Sequence, residues 1–345
     1  MGTSFLFAPN VGSGGGLELL RAMLSSWPED RPLIAMLDNR ARQSKLAIPD
    51  SSQALWFDST PTGRLKAEYT LYRSAGKSDL VLCFHNLPPI LPVRGRVFCY
   101  VQNANLVNLI PRSLLTGWPR YRYMVERFIA RQFKRRIDRY FVQTPTMKAA
   151  LLSWFGEDDP PVVEVAPFID SDDLLVDRPP HVRKQWDFLY AADGASHKNH
   201  ANLLSAWKLL GEEGIFPSLA LTLPPRDSAL IDRIEALKVE HGLNITNLGY
   251  LPHDDLLQCY HQAGAMLFAS YAESFGIPLL EAKAADLPII AAELDFVRDM
   301  CEPVQTFDPF SERSIAGAVK RHLKLTADQV KPLEASAFVA LLSNL

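Results

Sequence analysis

The chain has 345 residues, 48% hydrophobic and 22% charged, with a formal net charge of −3. That length suits two globular domains, and the near-neutral balance excludes a global pull towards nucleic acid. The scattered Cys83, Cys99, Cys259 and Cys301 have no metal or redox spacing, no run reaches the ~18 apolar residues of a membrane span, and the start MGTSFLFAPN lacks the basic region of a signal peptide, so the reading is a cytosolic protein.

Ser4–Ala8 reads as a buried strand, followed by a loop with Gly12, Gly14, Gly15 and Gly16 and a helix over Leu17–Leu24. A glycine-rich strand-to-helix loop makes a phosphate or sugar site. A dinucleotide fingerprint is the rival: Gly12-x-Gly14 fits, and Asp38 follows the strand Leu33–Leu37 where a ribose-binding acid is expected, but Leu17 occupies the third glycine position. Leu80–Phe84 and Val97–Val101 read as further strands, ending in His85-Asn86 and Gln102-Asn103. Polar residues at the ends of parallel strands fall at the ligand crevice, although plain loop capping by Asn accounts for them equally.

A helix is expected over 120–139, with Arg127, Arg131, Arg135 and Arg139 at four-residue spacing beside an apolar stripe of Val125, Ile129, Phe133 and Ile137. A solvated face and an anionic membrane surface both fit that pattern. A strand over Arg139–Thr144, a helix over Met147–Phe155 and a strand over Val162–Pro167 complete a first domain over 1–170, and a linker is read over 171–186.

Asp187–Ala192 opens the second domain (187–325) as a strand leading to Asp193-Gly194-Ala-Ser-His197-Lys198-Asn199-His200 and a helix over Ala201–Leu210. Lys198 at that turn is placed to neutralise a diphosphate; an idle exposed lysine is the plain alternative. Strands over Leu219–Leu223 and Ile245–Leu248 alternate with helices over Ser228–His241 and Asp254–Gln262, and the apolar Ala265–Ala269 delivers the chain into residues 270–288. Pro278 suits a helix start, which sets the amides of Phe275, Gly276 and Ile277 at a helix N-terminus, an anion site. Glu273 and Glu281 bracket it, Glu281 being read in the first helical turn, where the dipole alone also favours an acid. A ligand with a central diphosphate and a sugar at each end satisfies both acids: a nucleotide sugar. A hydrolytic carboxylate pair fits less well, since eight helical residues span about 12 Å against the ~5–9.5 Å that hydrolysis needs.

Glu273-(seven residues)-Glu281 enclosing Ser-Phe-Gly-Ile-Pro, with an apolar strand before it and Pro288–Ala292 after it, resembles the E-x7-E signature of family 4 retaining glycosyltransferases of the GT-B fold, bacterial polysaccharide or lipopolysaccharide type. The resemblance implies an α/β fold of two doubly wound, Rossmann-like domains facing across a cleft, with a C-terminal helix within 326–345 crossing back to the first. It implies transfer of a hexose from a nucleoside diphosphate sugar to a saccharide or lipid-linked acceptor, with no cofactor and no catalytic metal. Glu273 and Lys198 would be catalytic. Asn199, Tyr250, Leu251, Ser274, Phe275, Gly276, Ile277 and Glu281 would hold the donor, and Gly15 and Gly16 would abut it from the opposite domain. His85, Asn86, Gln102 and Asn103 would face the acceptor. The His-Lys-Asn-His string leans towards mannose, and Arg127, Arg131, Arg135 and Arg139 towards the inner face of a membrane. Three positions depart from the family pattern: Asp193 stands for its Arg, Gln102 for its His and Asp286 for its Gly. A nicotinamide-dependent oxidoreductase and a non-catalytic sugar-nucleotide-binding GT-B protein remain the alternatives.

Overall fold

The structure is a computed structural model that describes residues 2–107, 109, 118–156, 160–169 and 183–325. Two wholly parallel sheets carry it. The first contains β1 (Ser4–Ala8), β2 (Leu33–Asp38), β3 (Gln53–Phe57), β4 (Leu80–Cys83), β5 (Arg96–Val101), β6 (Arg139–Val142) and β7 (Val163–Val165), in the order β3-β2-β1-β4-β5-β6-β7. The second contains β8 (Trp186–Tyr190), β9 (Leu219–Leu221), β10 (Ile245–Asn247), β11 (Ala263–Phe268), β12 (Ile289–Ala292) and β13 (Gln305–Phe307), in the order β10-β9-β8-β11-β12-β13. Runs such as Phe5–Ala8, Leu219–Leu221 and Ile289–Ala292 are buried along their whole length, as strands covered by helices on both faces must be.

In the first domain α1 (Gly15–Ser25) covers one face of the sheet, while α2 (Pro61–Ser74), α3 (Trp118–Gln132) and α4 (Pro145–Phe155) contribute to the cluster on the other. In the second, α5 (His200–Glu212), α6 (Ser228–His241), α7 (His253–Gln262), α8 (Ile277–Ala284), the short α9 (Asp295–Arg298) and α10 (Glu312–His322) wrap a single apolar core. The two doubly wound domains thus set the C-terminal ends of their strands, where ligands of this architecture bind, on loops that can converge.

The domains touch through specific groups. The Phe275 side chain joins the first domain's Leu6–Leu20–Phe84 cluster, and Met300 packs against it. The amide of Thr146 in the first turn of α4 donates to Asp299 Oδ2 at 2.9 Å, so an acid of the second domain helps to cap a helix of the first.

Several expectations change. β3, α2 and β13 were not anticipated: β3 and β13 are short, and α2 sets Leu65, Tyr69 and Tyr72 on its exposed side, which blurs its apolar periodicity; its start is held by Thr60 Oγ1, which accepts from the Gly63 amide. The helix expected over 120–139 ends at Gln132 and passes into a 3-10 turn over Lys134–Arg136. Its buried residues are Tyr123 and Ala130, whereas Val125 faces outwards with Tyr121, Met124 and Phe128. Of the expected stripe, Ile137 is buried and Ile129 and Phe133 are half-buried, so Val125 alone of the four departs from it. Most of the linker read over 171–186, and all of the helix expected within 326–345, lie outside the described residues.

Candidate functional site

The site gathers at the strand ends of the second sheet. After β11 the chain turns through Ser270–Gly276 and enters α8 with Gly276 as N-cap at φ 79°, a left-handed conformation that glycine takes without strain. Pro278 sits in the first turn, where a missing N–H costs nothing. The amides of Phe275, Gly276 and Ile277 make no hydrogen bond among the described residues, leaving a cluster of donors at the positive end of α8. Phe275 contributes only that amide, since its ring is buried in the first domain's core.

Lys198 Nζ donates to Glu273 Oε1 at 2.6 Å, with only 17% and 14% of the two side chains exposed. The structure thus joins the two residues expected to be catalytic, which lie 75 positions apart in sequence. The 3-10 turn Ser196–Lys198 aims the lysine, and Asn199 closes that turn at φ 61°. Asn199 does other work than the donor binding expected of it: it is buried, and its Nδ2 donates to the carbonyls of Ala269 (3.1 Å) and Pro309 (2.7 Å), tying three loops together.

Glu281 is 4% exposed and lies in the second turn of α8 rather than the first. Its Oε2 accepts from the Tyr260 hydroxyl at 2.7 Å, and its Oε1 lies 2.8 Å from His253 Nε2. Burial pushes the Tyr260 phenol well up, so it stays a donor. A carboxylate held this way is oriented rather than merely dipole-favoured. It lines a small pocket whose other walls include Glu18 and Leu19 of α1, Ile169 and Ile277.

From the first domain, a Cβ placed on Gly15 would stand 3.5 Å from Ile277 Cδ1, and one on Gly16 would stand 3.4 Å from Gln102 Oε1. Gly15 therefore lies against the start of α8, and Gly16 against Gln102 of its own domain. Gln102 is itself committed: its side chain donates to the Phe84 carbonyl at 2.9 Å, and its amide donates to Asn86 Oδ1 at 2.6 Å. Asn86 holds the strand end at φ 73°, and Asn103 accepts from the Asn105 amide at 3.0 Å, so both act as loop caps. His85 is 4% exposed, with Nδ1 3.0 Å from the Phe7 carbonyl. A carbonyl only accepts, so Nδ1 carries the proton, and burial together with Arg64 holds the imidazole well below its usual pKa. Its Nε2 is buried without a partner. Tyr250, after β10, is largely exposed, while Leu251 packs partly on the core. Ser274 lies in the loop before Gly276.

The dinucleotide reading fails at Asp38. That acid is wholly buried, accepts from the Arg40 amide at 2.8 Å and pairs with the Arg40 guanidinium at 2.6 Å, so it is turned into its own loop and away from the surface. The basic stripe is also rearranged. Arg127 and Arg131 reach inwards to backbone carbonyls of Leu106 and Trp154, and Arg139 pairs with Glu164.

Two residues at the site had no expected role. Arg226, following β9, pairs with Asp193 at 3.1 Å, so a cation stands beside the acid that replaces the family arginine. His197 lies within electrostatic reach of Glu273, Lys198 and Asp193, and its pKa is lowered, chiefly by burial. Its position in the His-Lys-Asn-His string was the one available signal; Arg226 gave none, because the pairing exists only across two loops. Among the described residues no group of three or more His, Cys, Asp or Glu could hold a metal ion, and no helix is long and apolar enough to cross a membrane.

Residues 173–336 match the family model described as Glycosyl transferases group 1. The serotype-specific mannosyltransferase WbdA of Escherichia coli is 28% identical over 149 residues, which are 42% of this chain and 18% of WbdA. The O-antigen chain mannosyltransferase RfbU of Salmonella typhimurium is 21% identical over 197 residues, 56% of this chain and 53% of RfbU. The chain therefore spans from under a fifth to about half the length of these relatives. Among solved structures, Anabaena HepE in complex with UDP and glucose superposes with a TM-score of 0.64 at 15% identity, covering 93% of this chain and 90% of its own. The lipopolysaccharide outer core galactosyltransferase WaaB superposes with a TM-score of 0.61 at 14% identity, covering 94% and 90%. The architecture is that of the GT-B glycosyltransferases.

Proposed function

We propose that this protein, whose residues 173–336 carry the match to Glycosyl transferases group 1, is a retaining glycosyltransferase of cell-surface polysaccharide synthesis. In this reading it moves a hexose, mannose by preference, from a nucleoside diphosphate sugar to a saccharide or lipid-linked acceptor. The observation that carries the reading is the meeting of Lys198, Glu273 and the unpartnered amides of 275–277 beside an oriented, buried Glu281. The relatives WbdA and RfbU, both named as mannosyltransferases, support the sugar.

The chemistry follows from charge. As the anomeric carbon–oxygen bond breaks, the leaving diphosphate gains negative charge. Lys198 and the α8 amides are fixed where that charge develops, and Arg226 adds a second cation across the loops. Glu273 accepts hydrogen bonds from sugar hydroxyls, and Glu281 from the ribose. The scheme calls on no separate nucleophile among the described residues: the acceptor oxygen attacks the face that the diphosphate leaves, and its proton passes to the departing phosphate. Closure of the first domain over α8 excludes water and limits hydrolysis. No metal enters this scheme.

The test is a thermal-shift series in EDTA with UDP, GDP, their sugars and NAD. Ligand at about 100 times its Kd adds roughly 2.7 kcal/mol, a shift of several degrees. Stabilisation by one nucleoside diphosphate, lost in Glu281→Ala, supports the reading and names the base. Stabilisation by NAD alone, unaffected by that substitution, overturns it.

The reading extends to a membrane surface. Tyr121, Met124, Val125 and Phe128 of α3 and Leu65, Tyr69 and Tyr72 of α2 expose apolar surface on the same side of the first sheet, with Lys66 and Arg73 beside them. An apolar face fringed by cations suits an anionic bilayer that presents a lipid-linked acceptor.

A further inference from the structure

The donor scheme leaves one built feature of the second domain unused. Tyr271 and Phe310 stack face to face, their ring centroids 4.8 Å apart and their planes 20° from parallel. Phe310 nevertheless exposes 60% of its surface. The pair is held rigidly. Asn202 Nδ2 donates to both the Tyr271 hydroxyl and the Pro309 carbonyl at 2.9 Å, the Tyr271 amide donates to the His197 carbonyl at 2.8 Å, and the Phe310 amide donates to Asp308 Oδ1 at 2.9 Å. Asp308 Oδ2 makes no hydrogen bond among the described residues, and the acid lies close enough to Tyr271 to help raise its pKa after burial.

A phenyl ring fixed on the surface gains nothing from the core. It does offer a flat apolar face with a carboxylate oxygen at its rim. A pyranose ring has the matching pair of features: a face of C–H groups to lie on the aromatic ring and hydroxyls to donate to the carboxylate.

The strand order fixes which part of a substrate can reach this platform. Tyr250 follows β10 at one edge of the sheet, Lys198 follows β8, and Tyr271 and Glu273 follow β11. Phe310 follows β13, but its loop folds back: the Pro309 carbonyl is tied to Asn199 and Asn202 and the ring lies on Tyr271, so the platform stands at the ends of β8 and β11. At ~4.8 Å per strand the ends of β10 and β11 stand roughly 14 Å apart. A nucleoside seated near 249–251 is therefore separated from the platform, which lies beside Glu273 on the sugar side of the donor. We propose that Phe310, Tyr271 and Asp308 form a saccharide subsite that holds a pyranose unit of the acceptor chain, away from the residue being glycosylated. Assigning that sugar to the acceptor rests on the glycosyltransferase reading; binding of the sugar itself does not.

The experiment is saturation-transfer NMR and calorimetry on the full chain. The probes are α-linked manno-, gluco- and galacto-oligosaccharides of two to six units, with UMP and GMP as a nucleobase arm. The expected result is binding of at least one oligosaccharide that tightens with chain length. Phe310→Ala should weaken it about tenfold, equivalent to ~1.4 kcal/mol, and Phe310→Trp should restore it. Asp308→Asn should weaken it less, and the affinity for nucleoside diphosphate should stay unchanged in all three variants, each melting within a few degrees of wild type. No oligosaccharide bound by the wild type, equal binding by Phe310→Ala, or loss of nucleotide affinity in that variant each overturns the subsite. Failure of the wild type to bind any nucleoside diphosphate would instead overturn the donor reading, and the saccharide arm is read independently of it.

Discussion

Lys198 and Glu273 show how two ordinary charged residues become a site. Each is largely withdrawn from water, and at 2.6 Å the pair is screened less than a surface ion pair. In the proposed scheme the ammonium is already aimed at the diphosphate and need not reorganise as charge develops. Lys198→Ala should lower turnover by at least ~10²-fold with little change in KM for the acceptor, measured by steady-state kinetics; near-normal turnover would remove the lysine from the mechanism. At His85 the consequence is one of stability. Its folded pKa lies below the ordinary 6.5, so the unfolded chain binds the proton more readily. Stability is therefore full above about pH 6.5 and is lost as pH falls below it, by up to about 1.4 kcal/mol per pH unit for one such histidine. His85→Asn should flatten the fall in melting temperature between pH 7 and pH 5; an unchanged slope would mean that His197 and His200, whose pKa values are also lowered by burial, carry the effect.

Among the elements, α8 was the most legible and α3 the least. Proline in the first turn, glycine at the N-cap and an apolar strand before them are local signals, and they place α8 correctly to within a residue. Asp286, which stands where the family pattern has Gly, takes the left-handed conformation at φ 53° just after α8. On α3 the apolar pattern is local but its partner is not. Tyr123 and Ala130 are buried, while Phe128 is 67% exposed, an outcome decided by which side meets the sheet. That outward face gives the membrane reading its test. Flotation with vesicles containing anionic lipid should recover wild-type protein, and Phe128→Glu with Tyr121→Glu should abolish recovery while leaving nucleotide binding intact. Equal recovery with neutral vesicles would remove the electrostatic component.

At the scale of the whole molecule the two domains share structure as well as a cleft. Phe275 lends its ring to one domain and its amide to the cluster of donors at the start of the other's α8. Asp299 accepts the Thr146 amide across the boundary, while Thr144 Oγ1 accepts from Met147 within α4. Asp299→Ala removes half of this shared cap, at a cost of about 1 kcal/mol. It should increase the radius of gyration in small-angle scattering and lower kcat/KM severalfold, with nucleoside diphosphate affinity nearly kept. An unchanged radius and rate would mean that the apolar contacts of Phe275 and Met300 alone hold the domains together.

The sequence alone determined the two-domain α/β architecture, because buried parallel strands must be continuous apolar runs and the helices between them leave a 3.6-residue signature. It also singled out the 275–277 amides with Glu273 and Glu281, since a helix N-terminus, its N-cap glycine and its flanking acids are written in consecutive residues, and it singled out Lys198 at the turn after β8. Only the tertiary structure decided how those residues pair. Glu281 is oriented by Tyr260 and His253 from a different helix, Asp193 is answered by Arg226 from a different loop, Asp38 is consumed by Arg40, and Asn199 is a buried tie between loops. These are contacts between strand ends brought together by sheet order, and sheet order depends on packing free energy summed over the chain, which no local stretch encodes.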